Sequence, residues 1–517
     1  MKNIFNALIQ FRNKLYNHLP CRADALMDLF DALSSYGHKC KSVVELSEAP
    51  VYKRQYSSIT DSITNGADKI DFCSVEKEVF NISAQKNDVR FFLDCTNNKR
   101  AYSPHLEDRS IVHYSNPAPG NKPVCVGHQY SMLALQPQDE KEIKKHWVIP
   151  ISMKRVKSDM KGNEFGMEQL FNTIENLELK DKLTSSVGDS LYGTENCRKA
   201  SVKNKNHVHI FRIRNNRKLF NQPDEHDNPQ KKLGRRKVYG KPIKLSDSSS
   251  LPTPTQKHER IFENKHGATR KAVVQQWDDI LMSGSKKFDS HNHPVNLIQA
   301  TLYDENHNPI FKNPLWIGVI GERKNEFSTF DIYDGYRSRY DVEHFFRYGK
   351  QKLLLNSYQT PDVDHEENWW QLVMLSYVQL YLANKDSNLL PKPWERYLPE
   401  YKNVDENQIA TPSQVQRNFE NILSLIGTPS IPPIPRGNPK GREEGQLQPK
   451  RQKHDIIFKE KKKPNDKKKT NNATNDKTPE RSNHGKIEDL IASVSEEIKS
   501  FNISPEQFSN MLTKVAT

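Results

Sequence analysis

Three carboxylates set the chemical question: Asp94 at the end of the apolar run DVRFFLDCT, Asp189 in SSVGDSLYG, and Glu343 in YRSRYDVEHFFRYGK. Phosphodiester cleavage at neutral pH asks for divalent metal held by hard oxygen ligands, so that the attacking water or hydroxyl is activated and the leaving oxygen is stabilised. Acids carried on separate elements suit that demand, because they can meet at a sheet edge while leaving room for phosphate oxygens. Any three acids drawn from 64 satisfy it loosely, so the surroundings of Glu343 have to tighten the argument.

They do so through spacing. Arg339 lies four residues before Glu343, with Tyr336 seven before it and Lys350 seven after it. At about 100° per residue these offsets keep all four on one broad helix face. Arg339 also supports Glu343 as an i,i+4 pair. A metal-holding Glu beside Arg, Lys and a Tyr hydroxyl joins one metal contact to several phosphate contacts. An ordinary amphipathic helix accounts for Arg339 and Lys350 but gives no reason for the acid to share their face. Phe345 and Phe346 are expected to pack the opposite side.

The elements that must position these groups follow from pattern. DVRFFLDCT, YSMLAL and HWVIPIS read as strands, GMEQLFNTIENLELKD as a helix, and NHVHIFRIR as a further strand after Asp189. This places Asp94 and Asp189 near strand ends, where an α/β sheet presents side chains to a crevice. The stretch from 215 to 325 begins polar and rich in Asn, Lys, Pro and Ser, then gives strands NLIQATLYD and PLWIGVIG, and reads as an insertion into the sheet domain. ENWWQLVMLSYVQLYLAN is a strongly apolar helix that should cover the sheet, with Trp369 and Trp370 as packing residues. Thr411 and Pro412 mark the N-cap and first residue of another helix. Beyond it, PRGNPKGREEG and a Lys/Arg run read as a basic arm for phosphates, with Arg442, Lys450 and Arg451 as contacts.

The totals agree. A chain of 517 residues can bury a sizeable core in several domains, and its 35% hydrophobic content leaves room for polar insertions or tails. A formal charge of +14 biases it toward an anionic polymer. Six cysteines without C-x-x-C spacing exclude a zinc module or disulfide scaffold and fit a reducing compartment. No leader pattern and no apolar window of about 18 residues is present, so the expectation is a cytosolic, DNA-associated protein with no membrane partner.

The Tyr336, Arg339, Glu343 and Lys350 spacing resembles the Y-R-E-K motif of bacterial insertion-sequence transposases of the DDE superfamily. The segments around Asp94 and Asp189, SVVELSEAPVYKRQYSSI, PWERYLP and TPSQVQRNFENILSLIGTP through PRGNPKGR are similar to one branch of that family, covering roughly residues 40 to 460. The resemblance implies an α/β fold: an RNase H-like mixed-sheet catalytic domain with a β-rich insertion, a helical N-terminal region and a basic flexible C-terminal region. It also implies that Asp94, Asp189 and Glu343 bind two Mg²⁺ or Mn²⁺ ions, with hydrolytic cleavage of double-stranded DNA at element ends and attack of the freed 3′-hydroxyl on target DNA. Tyr336, Arg339 and Lys350 would hold phosphates, and a homodimer would act in the synapse. In the insertion, Trp277 is a candidate to hold a flipped base, whereas Trp316 lies in an apolar strand and reads as structural.

The domain expectation is 1–84 as a helical region and a candidate for reading DNA, 85–214 and 326–405 as the two parts of the catalytic domain, and 215–325 as the insertion. A helix and basic linker fill 406–480, and 481–517 is a small helical segment. His113 and His128 are expected to order their loop, and Asp108 and Arg109 to form an ion pair near the first acid. The rival readings are a metal-dependent nuclease without strand transfer and a repurposed DNA-binding relative.

Overall fold

The computed structural model describes residues 4–83, 88–114, 123–137, 147–223, 237–264, 267–285, 288–390, 409–434, 441, 443–447 and 450–458. Arg442, the PWERYLP segment and the expected C-terminal helical segment lie outside the described residues.

Four helices lead: α1 (Asn6–Asn17), α2 (Ala23–Tyr36), α3 (Ser57–Asp61) and α4 (Phe72–Ile82). Strands β1 (Asp88–Lys99), β2 (Ser110–His113), β3 (Val124–Leu135) and β4 (Ile149–Val156) follow, then α5 (Gly162–Asn176), β5 (Leu183–Gly188), α6 (Glu195–Ser201) and β6 (His207–Arg212). The insertion contributes β7 (Leu219–Phe220), β8 (Pro242–Ile243), β9 (Gln256–Glu263), β10 (Thr269–Met282), β11 (Val295–Tyr303) and β12 (Leu315–Ile320). The chain returns through α7 (Thr329–Ser338), α8 (Tyr340–Lys352), α9 (Val363–Leu382) and α10 (Pro412–Ile426).

The strands form one 12-stranded mixed sheet in the order β2-β3-β1-β5-β6-β12-β11-β10-β7-β8, with β4 on β3 and β9 on β10. β1, β5 and β6 are parallel, and the remaining pairings are antiparallel. Helices α5 and α6 make the two crossovers that parallel neighbours require. This α/β arrangement is consistent with the RNase H-like expectation. The insertion continues the sheet directly, because β12 pairs with β6 from Ile317↔Arg212 to Ile320↔His209.

α9 explains why a polar chain holds together. Its apolar run is buried along almost its whole length, with Trp369, Trp370, Leu372 and Leu375 fully enclosed. Tyr130 of β3 stacks on Trp370 at 3.9 Å, and Asp362 caps the helix by accepting from the amides of Asp364 and His365. α10 starts as its sequence dictates, with a Thr411/Gln414 capping box and Pro412 in the first turn. The leading helices belong to the same core. α2 is buried from Ala25 to Ser35, and Arg12 of α1 pairs with Asp31 while donating to Gln379 of α9 at 2.7 Å. In this position α2 offers no free face to a DNA groove. A second, smaller core fills the insertion, built on Phe211, Ile213, Trp277, Leu297 and Trp316.

Candidate active site

Asp94 sits in mid-strand rather than at a strand end. β1 runs on to Lys99 because it keeps pairing with β3 from Leu93↔Leu133 to Lys99↔Gly127. On its other side, pairing with β5 ends at Phe92↔Val187. Asp94 therefore lies two residues past the last β5 partner, where the sheet opens on one side only. Asp189 follows the last residue of β5 and turns the chain by accepting the Leu191 amide at 2.8 Å. The glycines of its motif are accounted for by packing. A Cβ on Gly188 would meet Tyr192 at 2.6 Å, and one on Gly193 would meet the Phe211 ring at 2.7 Å.

Glu343 lies in the first turn of α8. The helix expected to carry Tyr336, Arg339, Glu343 and Lys350 together is two helices that meet at Arg339, so Tyr336 belongs to α7 and the other acid-facing residues to the joint and α8. Arg339 makes the central contact. Its Nη1 donates to Asp94 Oδ2 at 2.7 Å and its Nη2 to Glu343 Oε1 at 2.9 Å. Its guanidinium stands 5.9 Å from the Tyr336 ring centre, and its Nε is buried without a hydrogen-bond partner. Burial pushes the Asp94 carboxyl up to about 6, against the pull of Arg339; Asp189 and Glu343 add to the rise. The structure thus brings the three acids into one electrostatic neighbourhood with a cation between two of them.

Lys350 reaches β1 beyond the acid, donating to Thr96 Oγ1 at 2.7 Å and Asn97 O at 3.2 Å. Burial lowers its ammonium pKa. Trp277 does not join the cluster. The candidate for a flipped base is 3% exposed in this structure, gives its indole N–H to Pro252 O at 2.7 Å and lies against Trp316. Lys450 and Arg451 are exposed, but the stretch behind them is docked rather than free: His454 N donates to Pro104 O and Ile457 N to Arg109 O, at 2.9 and 2.7 Å. Asp108 and Arg109 do not pair with each other. Asp108 takes Arg155 and Ser158, and Arg109 donates to His454 O. His113 holds Asn97 through its backbone carbonyl.

Two polar networks were not foreseen from the sequence. Glu366 of α9 is fully buried and accepts from Arg100 Nε at 2.5 Å, His128 Nδ1 at 2.6 Å, Asn98 Nδ2 at 2.7 Å and Tyr130 OH at 2.9 Å, so it binds β1 and β3 to the helix layer. Burial raises its carboxyl, but His128 and Arg100 outweigh that and hold it below the usual range. On the β5–β6 pair, Thr184, His207, Ser186 and His209 form a chain of hydrogen bonds of 2.8–2.9 Å that ends at Tyr192 O, 3.2 Å from His209 Nε2. Because Tyr192 O only accepts, His209 carries its proton on Nε2. Ser186 then donates to His209 Nδ1 and accepts from His207 Nε2, which leaves His207 Nδ1 to accept from Thr184. The chain fastens the loop after Asp189. Its sequence signal is the alternation of His207 and His209 opposite Thr184 and Ser186 on the neighbouring strand.

The donor set is all oxygen and suits a hard divalent cation. Among the described residues no three His, Cys, Asp or Glu side chains are gathered tightly enough to ligate one ion as they stand. Arg339 takes an oxygen from each of two carboxylates in this arrangement. None of the described helices is long and apolar enough to cross a membrane. A family model described as a DDE superfamily endonuclease matches residues 14–281, just over half of the chain; it takes in Asp94 and Asp189 and ends before Glu343. No curated protein matches.

Proposed function

The chain belongs to the DDE superfamily endonucleases, nucleic-acid-cleaving enzymes that generally use divalent metal ions, and from that premise we propose that it is a DNA transposase of the Y-R-E-K type with an RNase H-like catalytic domain. It cuts double-stranded DNA at the ends of a bacterial insertion sequence and joins the freed 3′-hydroxyl to target DNA, acting as a homodimer in the synapse. The observation that carries this reading is the Arg339 bridge to Asp94, 245 residues away in the chain, and to Glu343 on the next helix turn, with Asp189 pressing on Asp94.

Asp94, Asp189 and Glu343 supply the oxygens for two Mg²⁺ or Mn²⁺ ions. When bound, such ions lower the pKa of the attacking water or hydroxyl and offset charge on the leaving oxygen. The protein's own groups do the rest. Arg339 neutralises Asp94 and Glu343 in the free enzyme and is exchanged onto a phosphate oxygen as DNA arrives. Tyr336 backs the guanidinium. Lys350 keeps α8 on β1 beside Thr96 and adds positive charge along the phosphate path. The basic arm with Lys450 and Arg451 extends contact to flanking DNA.

The test uses purified full-length protein and labelled DNA carrying the sequences that flank its coding region. Asp94→Asn, Asp189→Asn and Glu343→Gln should each lower metal-dependent end cleavage at least about 100-fold while DNA affinity is retained. Undiminished cleavage by any one of them removes that residue from the site. Joined products with target DNA support transposition; cleavage without any joined product reduces the reading to a nuclease.

A further inference from the structure

Arg90 is a buried cation, 7% exposed, whose contacts are spread over the parts that the site must hold in register. It projects from β1, four residues before Asp94. Its Nε donates to Ser185 Oγ on β5 at 3.2 Å, and its Nη1 donates to Gln136 Oε1 just after β3 and to the Asp331 carbonyl in the first turn of α7, both at 3.2 Å. Its guanidinium also lies 5.6 Å from the Phe327 ring centre, just before α7. Room for this crossing comes from Gly335. A Cβ there would stand 2.9 Å from the central carbon of the guanidinium.

The spacing matches at both ends. Arg90 and Asp94 point to the same face of β1 and lie about 13 Å apart at about 3.3 Å per strand residue. Asp331 and Arg339 lie about 12 Å apart at about 1.5 Å per helical residue. The same length of strand and helix is therefore tied twice: Arg90 reaches from β1 to Asp331, and Arg339 reaches back from the α7–α8 joint to Asp94.

We propose that Arg90 is a positioning residue, the permanent fastener that keeps Glu343 in register with Asp94 when Arg339 leaves Asp94 for a DNA phosphate. This rests on the reading of Asp94 and Glu343 as the cleavage acids. Without Arg90 and with Arg339 released, the hydrogen bonds between β1 and the α7–α8 pair among the described residues come down to those of Lys350 with Thr96 and Asn97, seven residues past Glu343. The α7 end of the pair, next to Glu343, then drifts against the strand, and displacement of about 1 Å costs about 100-fold in rate.

Steady-state cleavage of labelled end DNA by Arg90→Gln, Gly335→Ala and the double variant tests this, with thermal unfolding confirming that each is folded. Arg90→Gln is expected to lower kcat about 10- to 100-fold with KM for DNA unchanged, and to raise severalfold the Mn²⁺ concentration giving half-maximal cleavage. Gly335→Ala should do the same by pushing the guanidinium off Asp331. It should add nothing to Arg90→Gln, because the group it displaces is already gone. A folded Arg90→Gln with kcat within about twofold of wild type, a change in KM alone, or equal Gly335→Ala losses with and without Arg90 would each overturn the assignment. If Arg90→Gln does not fold, Gly335→Ala decides alone, and an unchanged kcat overturns it. Inactive Asp94→Asn and Glu343→Gln alongside an unaffected Arg90 series refute only the role of Arg90; active ones refute the reading beneath it.

Discussion

Replacing His209 with Asn should flatten the acid side of this protein's stability curve. Burial pushes His207 down to about 3, helped by the neighbouring His209, and pushes His209 down to about 4. Both folded-state values lie below the ordinary 6.5, so under acid the unfolded chain binds protons that the folded chain refuses. Stability is fully present above pH 6.5 and is lost as pH falls from there toward 4 and 3. At about 1.4 kcal/mol per pH unit, each histidine costs about 2 kcal/mol between pH 7 and pH 5, close to 4 kcal/mol for the pair. Asp94, raised to about 6, has the opposite sign and returns about 1 kcal/mol over the same interval. It is present in every variant and cancels in the comparison. Urea unfolding at pH 7 and pH 5 should therefore show His209→Asn and His207→Asn losing about 2 kcal/mol less on acidification than wild type. Parallel pH profiles for wild type and both variants would refute the assignment of a neutral, proton-refusing chain.

Glu366→Gln should lower unfolding stability by about 3 kcal/mol, since a buried Arg100 loses its counter-charge, and the loss should be visible as an earlier urea midpoint. A midpoint unchanged from wild type would mean the network carries little energy. Lys350→Met keeps the apolar stem but gives up the bonds to Thr96 and Asn97, so stability should fall by about 1–2 kcal/mol and affinity for end DNA severalfold. Equal affinity in a filter-binding or anisotropy titration would take Lys350 off the phosphate path.

Much of the site could be read from local pattern. The second acid was expected after a strand and follows β5, and the apolar α9 and the Thr411–Pro412 start of α10 declared themselves by composition and capping. Asp94 was harder, because a strand paired on one side only has no sequence mark where its second neighbour stops. The break at Arg339 was equally hidden: Arg339 keeps right-handed helical angles, φ −54° and ψ −29°, so spacing alone reads straight through it. β9 is hidden in the sequence for a different reason. QKHERIFE is mostly solvent-facing and carries no apolar alternation, so its strand character comes from its partner rather than from its own residues. Arg90 and Glu366 were unreadable because their partners lie 241 and 268 residues away in the chain at the farthest.

The splice between β6 and β12 has a mechanical consequence. A subdomain hung on two flexible threads can swivel, but this one is welded edge to edge, so it tilts only if the sheet that bears Asp189 tilts with it. Under the proposed function, DNA held by the insertion would be indexed to Asp189 by a stiff bracket. Its reach is fixed by strand spacing, about 4.8 Å for each step from β6 to β12, β11 and β10.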